Sequence, residues 1–203
     1  MKLRASPWSL RARWRLTLLT ATGLVALLFV LSRWVLLPYR VSGGSMRPAL
    51  VGNEEGDPRV TGDIVLVNHL AYLMNGPARW DVVMLAPSDE GEAGTTEGNS
   101  GQPAGRVKRV VGLPGETVDI RDGDLRVNGI AQEFPDRTGN AYVVSKGYYG
   151  HNSVSLGEDE YFLLGDNSYL SSDSRQRGPI RRNHIQGKVV LVVYPWERFG
   201  VAP

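Results

Sequence analysis

Residues 106–129 read RVKRVVGLPGETVDIRDGDLRVNG. Three short runs within this stretch, at 106–111, 116–120 and 125–129, contain β-branched residues and are separated by Gly, Pro and Asp. Runs of this length between turn-forming residues are typical of β-strands, and RDGD and VNG favour tight turns. The stretch therefore predicts antiparallel strands joined by short turns.

Similar runs lie on both sides of this stretch, and no long segment beyond residue 38 has a helical period. A chain with this pattern folds as a mainly β domain, so we expect an antiparallel, β-barrel-like sheet. The further runs are DIVLVN at 63–68, DVVML at 81–85, YFLLGD at 161–166 and KVVLVVYP at 188–195.

Two segments are predicted to be excursions from this domain. Residues 88–106 are rich in Gly, Ser and Glu, which predicts a loop or a mobile hairpin tip. Residues 130–159 are predicted to form a small satellite hairpin that carries Tyr142, Tyr148 and Tyr149.

The N-terminal region has a different character. Leu16 to Ser32 is a run of seventeen residues without a charge. As a helix, the segment from Trp14 to Trp34 would be about 30 Å long, the thickness of a hydrocarbon core, with a tryptophan near each interface. This geometry predicts a single transmembrane helix.

A basic flank sets the expected orientation of that helix. Since the positive-inside rule places such a flank in the cytoplasm, we expect residues 1–15 there, a transmembrane helix at 16–37 and an extracytoplasmic domain at 38–203. A cleaved signal peptide and a buried core helix are the alternatives. The first lacks an A-x-A-like cleavage site, and the second leaves the basic flank unexplained. The basic residues are Lys2, Arg4, Arg11, Arg13 and Arg15.

Composition excludes several classes of function. The 203 residues include 23 basic and 21 acidic ones, but the N-terminal clustering of positive charge argues against a nucleic-acid binder. The absence of cysteine excludes disulfides, thiolate catalysis and cysteine metal sites. His69, His151 and His184 are too scattered for a recognisable metal site, so we expect neither a metal nor another cofactor.

Four patches after residue 38 stand out. They are SGGSMRPAL at 42–50, GDIVLVNHLAY at 62–72 with RWDVVML at 79–85, RVKRVVGLPGETV at 106–118 and GDNSYLSSDSRQRG at 165–178. In this order they resemble the S-M-x-P-T-L nucleophile box, the core-strand boxes, the lysine box and the G-D-N-x-x-x-S-x-D-S-R box of the bacterial type I signal peptidases. Ala49 departs from the first box, which has threonine there.

The resemblance implies a membrane-bound serine endopeptidase with a Ser/Lys dyad. Such an enzyme removes signal peptides from exported preproteins, cutting after Ala-x-Ala-like sites. Its partners would be secretory preproteins and membrane lipid, without nucleic acid, and we expect a monomer. We also expect an extended substrate backbone to pair with the strand at 62–68 or at 81–85.

The residues themselves fit this chemistry. The hydroxyl of Ser45 needs a group that accepts its proton, and the sequence offers few bases besides Lys108. Strand alternation turns Lys108 and Arg109 to opposite faces, and burial of Lys108 would lower its pKa and yield a neutral amine. Taken alone, Lys108 reads as a solvated strand lysine and Ser45 as a turn serine that caps a helix. The motifs together favour the catalytic pair.

Acyl transfer also needs donors for the oxyanion. Gly43 and Gly44 allow the backbone to approach a substrate closely, and the resemblance makes the Ser45 N–H one donor. Some members of the family carry a second oxyanion donor, a serine hydroxyl, at the position that is Gly43 here. Because glycine has no hydroxyl, the resemblance identifies only the Ser45 N–H as a donor.

The last patch is expected to support the site. The resemblance implies that the Ser171 hydroxyl orients the lysine amine and that Asp173 and Arg175 form a structural ion pair. It places Asp166 in the same support and gives Arg109 a structural role outside the catalytic set. A plain polar turn is the alternative interpretation, because Gly, Asp, Asn and Ser favour turns in any case.

Two other functions compete with the protease. A self-cleaving Ser/Lys repressor would carry an N-terminal DNA-binding helical domain, where this chain has the apolar segment. A noncatalytic single-span protein could use the β-domain to bind envelope partners. The joint presence of Ser45, Lys108 and Ser171 favours the protease.

Overall fold

The structure, a computed structural model, describes residues 10–53, 62–86, 104–121, 123–133 and 153–202. The chain divides into two compact units, Met1–Leu36 and Leu37–Pro203. The first unit contains helix α1, Leu10–Val35, whose described apolar side chains from Trp14 to Phe29 are largely exposed.

The helix begins and ends earlier than the predicted span at 16–37. Residues 36 and 37 belong to the first β-strand, because the helix ends at Val35. Among the described residues, no helix combines the length and the hydropathy that crossing a membrane requires, so the predicted transmembrane span is not confirmed.

The second unit is mainly β, as the sequence predicts. Its described strands are β1 (Leu36–Val41), β2 (Ile64–Asn68), β3 (Val82–Leu85), β4 (Ala104–Gly112), β5 (Thr117–Arg121), β6 (Asp124–Val127), β7 (Ile130–Ala131), β8 (Val154–Ser155), β9 (Glu160–Leu164), β10 (Ile180–Arg181), β11 (Ile185–Tyr194) and β12 (Gly200–Val201). A short helix, α2, covers Ser174–Arg177.

The larger sheet has the order β1-β2-β11-β3-β4-β9-β10, with β12 on β11. The pairs β2–β11, β11–β3, β3–β4 and β4–β9 are antiparallel. β1 also pairs in parallel with the start of β4, which joins two distant strands of this order. The sheet is therefore a partly closed half-barrel.

A smaller sheet has the order β7-β6-β5-β8. The segment predicted as a satellite hairpin, 130–159, contributes β7 and β8 to opposite edges of this sheet, so these two strands do not pair with each other, and its three tyrosines lie outside the described residues. Most of the predicted excursion at 88–106 also lies outside them. Its last residues belong to the sheet, because β4 already begins at Ala104.

Alternation along the strands builds the core on both faces of the larger sheet. In β3, Val82 and Met84 pack in one apolar cluster, whereas Val83 and Leu85 pack in another. β2 and β3 each have a strand on both sides in the sheet order. The expectation that a substrate pairs with one of these two strands is therefore wrong, because their backbone groups already have partners.

Candidate active site

Ser45 lies in a tight turn directly after β1. Gly43 has a φ of 69°, a left-handed conformation that glycine adopts without a steric penalty, and it redirects the chain there. One helical turn follows, with the Leu50 N–H donating to the Met46 carbonyl at 2.8 Å. Met46 and Leu50 are 1% and 0% exposed, so apolar burial fixes the segment next to the nucleophile.

Lys108 lies on β4 and reaches Ser45. Its Nζ donates to Ser45 Oγ at 2.8 Å and to the Val107 carbonyl at 3.2 Å. The side chain is 7% exposed. Burial disfavours the ammonium form and lowers the pKa of Lys108 to about 8, although the carboxylate of Asp173 opposes this shift. The pair thus has the distance and the electrostatics of a nucleophile and a general base.

Arg109 occupies the other face of β4, as strand alternation predicts. It is 1% exposed, and its guanidinium binds Asp166 through two hydrogen bonds of 2.8 and 2.6 Å. A third hydrogen bond runs from its NH1 to the Trp80 carbonyl at 3.0 Å. The sequence motifs did not predict this pairing. The available signal was an arginine within an apolar strand, since a fully buried charge requires an opposite charge.

The loop after β9 packs directly against the nucleophile. The Asn167 N–H donates to the Ser45 carbonyl at 2.9 Å. A Cβ at Gly165 would lie 2.5 Å from that carbonyl oxygen and 2.2 Å from Ser171 Oγ. Only glycine allows an approach this close, so Gly165 brings the loop into contact with the site.

Asp173 and Arg175 form the predicted ion pair. Arg175 donates to the two Asp173 oxygens from Nε and NH2, both at 2.8 Å, and to the Ser168 carbonyl at 3.1 Å. Asp173 also accepts from the Gly165 N–H at 3.0 Å and caps α2. Burial alone would raise the pKa of Asp173, but the hydrogen bond and charge of Arg175 outweigh it and hold the pKa below its ordinary value.

Ser171 lies at the site but does not make the predicted contact. Its side chain is 4% exposed, and its Oγ makes no hydrogen bond to Lys108, although the hydroxyl is close enough to Asp173 to help lower the pKa of that carboxyl. The expected bond to the Lys108 amine is absent: the amine donates to Ser45 Oγ and the Val107 carbonyl, and the Ser171 hydroxyl lies against Gly165.

Backbone donors for an oxyanion are few. In the described part of the chain, the Ser45 N–H donates to no acceptor, which leaves it available. The Gly43 N–H donates to the Asn53 carbonyl at 3.1 Å. Gly43 therefore supplies neither a side-chain donor nor an unoccupied N–H, and Gly44 lies beside the Leu170 side chain.

Comparison with known proteins finds signal peptidases among the similar sequences. The chain is 28% identical over 185 residues to a signal peptidase IB of Staphylococcus aureus, which covers 85% of each chain. It is 30% identical over 138 residues to a signal peptidase I of Leptolyngbya laminosa, or 68% of this chain and 63% of that one. A crystal structure of a signal peptidase I from Enterococcus faecalis V583 is 26% identical and has a TM-score of 0.39, over 56% of this chain and 96% of its own.

The family model described as signal peptidase, peptidase S26, matches residues 11–196. This match includes the turn with Ser45, the strand with Lys108 and the loop with Ser171. Because it spans most of the chain, the protein belongs to the signal peptidase family, peptidase S26.

Proposed function

We propose that this signal peptidase I cuts its preprotein substrates with Ser45 as nucleophile and Lys108 as general base. The removal of signal peptides is the activity of the family to which the chain belongs. The observation that carries the assignment of residues is the 2.8 Å hydrogen bond between Lys108 Nζ and Ser45 Oγ, made by an amine that is 7% exposed.

The reaction follows from the charge of Lys108. The neutral amine accepts the Ser45 proton while Oγ attacks the scissile carbonyl, and the resulting ammonium then protonates the leaving amine. An acyl-enzyme on Ser45 remains. The amine, neutral again, activates a water that hydrolyses this ester. The same side chain thus serves as base and acid in both halves of the reaction.

Ser171 is proposed to orient Lys108. A neutral amine that accepts the Ser45 proton has two N–H donors, of which the Val107 carbonyl takes one. The second needs an acceptor, and the buried Ser171 Oγ, which makes no hydrogen bond to Lys108, borders the same site. A change of the Ser171 rotamer during reaction would supply that acceptor. Asp166, Asp173 and Arg175 are proposed to support this arrangement.

The oxyanion is proposed to bind the Ser45 N–H, which has no acceptor among the described residues. Gly43 and Gly44 keep this position open to the substrate backbone. We propose that the substrate supplies an extended segment that pairs with β4 at Arg106–Lys108, where β3 is the described partner strand. Small side chains before the cut, as in Ala-x-Ala, follow from the family resemblance.

The N-terminal unit is proposed to hold the enzyme at a membrane, with the N-terminus in the cytoplasm and the catalytic domain outside. In support, large apolar side chains of α1 are exposed, including Leu19 at 71% and Phe29 at 66%. Membrane fractions washed with alkaline carbonate would retain a spanning chain and release one that lies at the surface. Protease added to spheroplasts would digest an outward domain and spare an inward one.

Cleavage of a preprotein in detergent tests the catalytic assignment. Ser45→Ala and Lys108→Ala should each abolish cleavage while the thermal unfolding transition stays cooperative. Ser172→Ala is the matched control, because this exposed serine lies one residue from Ser171 and its hydroxyl accepts a bond from Arg177. Cleavage by either the Ser45→Ala or the Lys108→Ala variant would refute the assignment of these residues as nucleophile and general base.

A further inference from the structure

A buried carboxylate and a distant arginine meet behind the turn that carries Ser45. Asp63 is 1% exposed and directly precedes β2, whereas Arg198 ends the 3-10 turn Trp196–Arg198 after β11. Arg198 Nε donates to the two Asp63 oxygens at 3.0 and 3.2 Å. The two residues are 135 positions apart in sequence, so the fold itself creates this pair.

Both residues also bind the backbone of the Ser45 turn. The Val51 N–H donates to Asp63 Oδ2 at 2.8 Å, and the Asp63 N–H donates to the Val51 carbonyl at 2.7 Å. Arg198 NH2 donates to the Ala49 carbonyl at 2.8 Å. The pair therefore contacts the backbone of the turn at Ala49 and Val51, four and six positions after the nucleophile.

These contacts provide hydrogen-bond partners for backbone N–H and carbonyl groups that the turn itself leaves unpaired. A single helical turn has unpaired N–H and carbonyl groups at its ends, and it holds its shape only when other groups bind them. Here Asp63 and Arg198 bind the C-terminal end of the turn, and the buried Met46 and Leu50 hold its apolar side. A shift at Ala49 is therefore transmitted to Ser45 one helical turn earlier.

We propose that Arg198 and Asp63 are positioning residues that hold Ser45 at hydrogen-bond distance from Lys108 and in line with the substrate carbonyl. We name them the Arg198–Asp63 brace. The brace rests on the proposed role of Ser45, and it acts only through the backbone at Ala49 and Val51. Displacement of a reacting atom by about 1 Å costs roughly 100-fold in rate, so loss of the brace should affect turnover.

Steady-state kinetics of the full chain in detergent, with a preprotein substrate, tests the proposal. Arg198→Met keeps the apolar stem and removes every donor. We expect kcat to fall roughly 100-fold, KM to stay within about twofold, and the midpoint of the pH profile to stay where wild type has it, because Lys108 remains buried. Asp63→Asn should lower kcat in the same direction, and Arg198→Lys should restore part of the loss.

Arg79→Met is the matched control. Arg79 also joins a carboxylate, Glu116, to a backbone carbonyl, that of Val111, but it contacts no residue of the Ser45 turn. A merely structural role would lower the melting temperature in both variants and leave kcat of the folded protein alike in both. Hydrogen exchange supplies a readout that needs no activity. Amides at 46–53 should exchange faster in Arg198→Met and stay protected in Arg79→Met.

The outcomes separate the brace from the proposed function. A wild-type chain that cuts no preprotein would refute the function, while the exchange experiment would still report on the brace. An Arg198→Met enzyme with wild-type kcat, or equal losses in Arg198→Met and Arg79→Met, would overturn the brace. If Arg198→Met does not fold, Arg198→Lys tests the proposal instead. Its kcat should still be lower than that of wild type, because one ammonium cannot make all the hydrogen bonds of the guanidinium. An unchanged kcat there would overturn the proposal.

Discussion

At the scale of single residues, the charge of Lys108 controls the proposed chemistry. Burial lowers the pKa of this amine from 10.5 to about 8, and nearby groups act in both directions. The Asp173 carboxylate favours the ammonium, whereas the Arg106 guanidinium opposes it. At pH 7 roughly one molecule in ten would therefore carry the neutral amine that can deprotonate Ser45.

The pH dependence of cleavage follows from this pKa. Because the neutral amine is the base, kcat/KM should rise about tenfold per pH unit below pH 8 and level off above it. The midpoint should lie near the Lys108 pKa of about 8. Measurement of kcat/KM from pH 6 to pH 10 checks this. A flat profile between pH 7 and pH 9, or a midpoint near the ordinary lysine pKa, would contradict the mechanism.

At the scale of elements, β4 links the site to its support. One face of the strand presents Lys108 to Ser45, and the other presents Arg109 to Asp166, at the start of the loop that touches the Ser45 carbonyl. Both charged side chains are buried, so β4 carries two charges that the fold must compensate. Burial of Lys108 lowers its pKa, so that a fraction of the molecules is neutral at pH 7, whereas Arg109 keeps its charge and is compensated by a carboxylate.

The Arg109–Asp166 pair should therefore behave as a unit. Arg109→Met leaves Asp166 as an uncompensated buried charge and should destabilise the fold by about 3–5 kcal/mol. The double variant Arg109→Met/Asp166→Asn should be more stable than Arg109→Met, because it removes that charge. Urea unfolding of the single and double variants measures the difference.

Arg121→Met is the control for this prediction. Arg121 also pairs with an aspartate, Asp119, but its side chain is 68% exposed. Exposed ion pairs contribute little, so its loss should change the free energy of unfolding by at most about 1 kcal/mol. If Arg109→Met unfolds at the same urea concentration as Arg121→Met, burial of the Arg109–Asp166 pair is not a stability determinant.

Strand positions were open to prediction because they depend on local patterns, and the reactive pair was open to prediction because its motifs resemble those of a known family. The runs at 63–68 and 81–85 fall on β2 and β3, and alternation in RVKRVV was enough to send Lys108 and Arg109 to opposite faces. The hydrogen-bond partners were not open to prediction in the same way. Arg109 meets Asp166 across 57 residues and Arg198 meets Asp63 across 135. Such contacts depend on strand order and register.

At the scale of the whole molecule, strand order is the feature that could not be predicted from the sequence. β11 lies between β2 and β3, although it follows them by about a hundred residues. This insertion makes β2 and β3 interior strands and overturns the predicted site of substrate pairing. It also carries the C-terminal segment with Arg198 back to the Ser45 turn. The composition of DIVLVN and DVVML is equally suited to an edge strand and an interior strand.

Burial of Lys108 should also lower the free energy of unfolding of the whole domain. The pKa of Lys108 lies near 8 in the folded chain and at 10.5 in the unfolded chain, so the unfolded state binds more protons between these values and stability rises with pH there. Below pH 8 the penalty is complete, about 3 kcal/mol at 1.36 kcal/mol per pKa unit. Lys108→Met removes it. This inactive variant should thus be more stable than wild type by about that amount at pH 7, with the gap closing as the pH approaches 10.5.

Urea unfolding of both chains at pH 7 and pH 10 measures this difference in stability. Lys188→Met is the control, because Lys188 is 41% exposed and paired with Asp81. A Lys108→Met chain no more stable than wild type at pH 7 would show that the buried amine imposes no such cost.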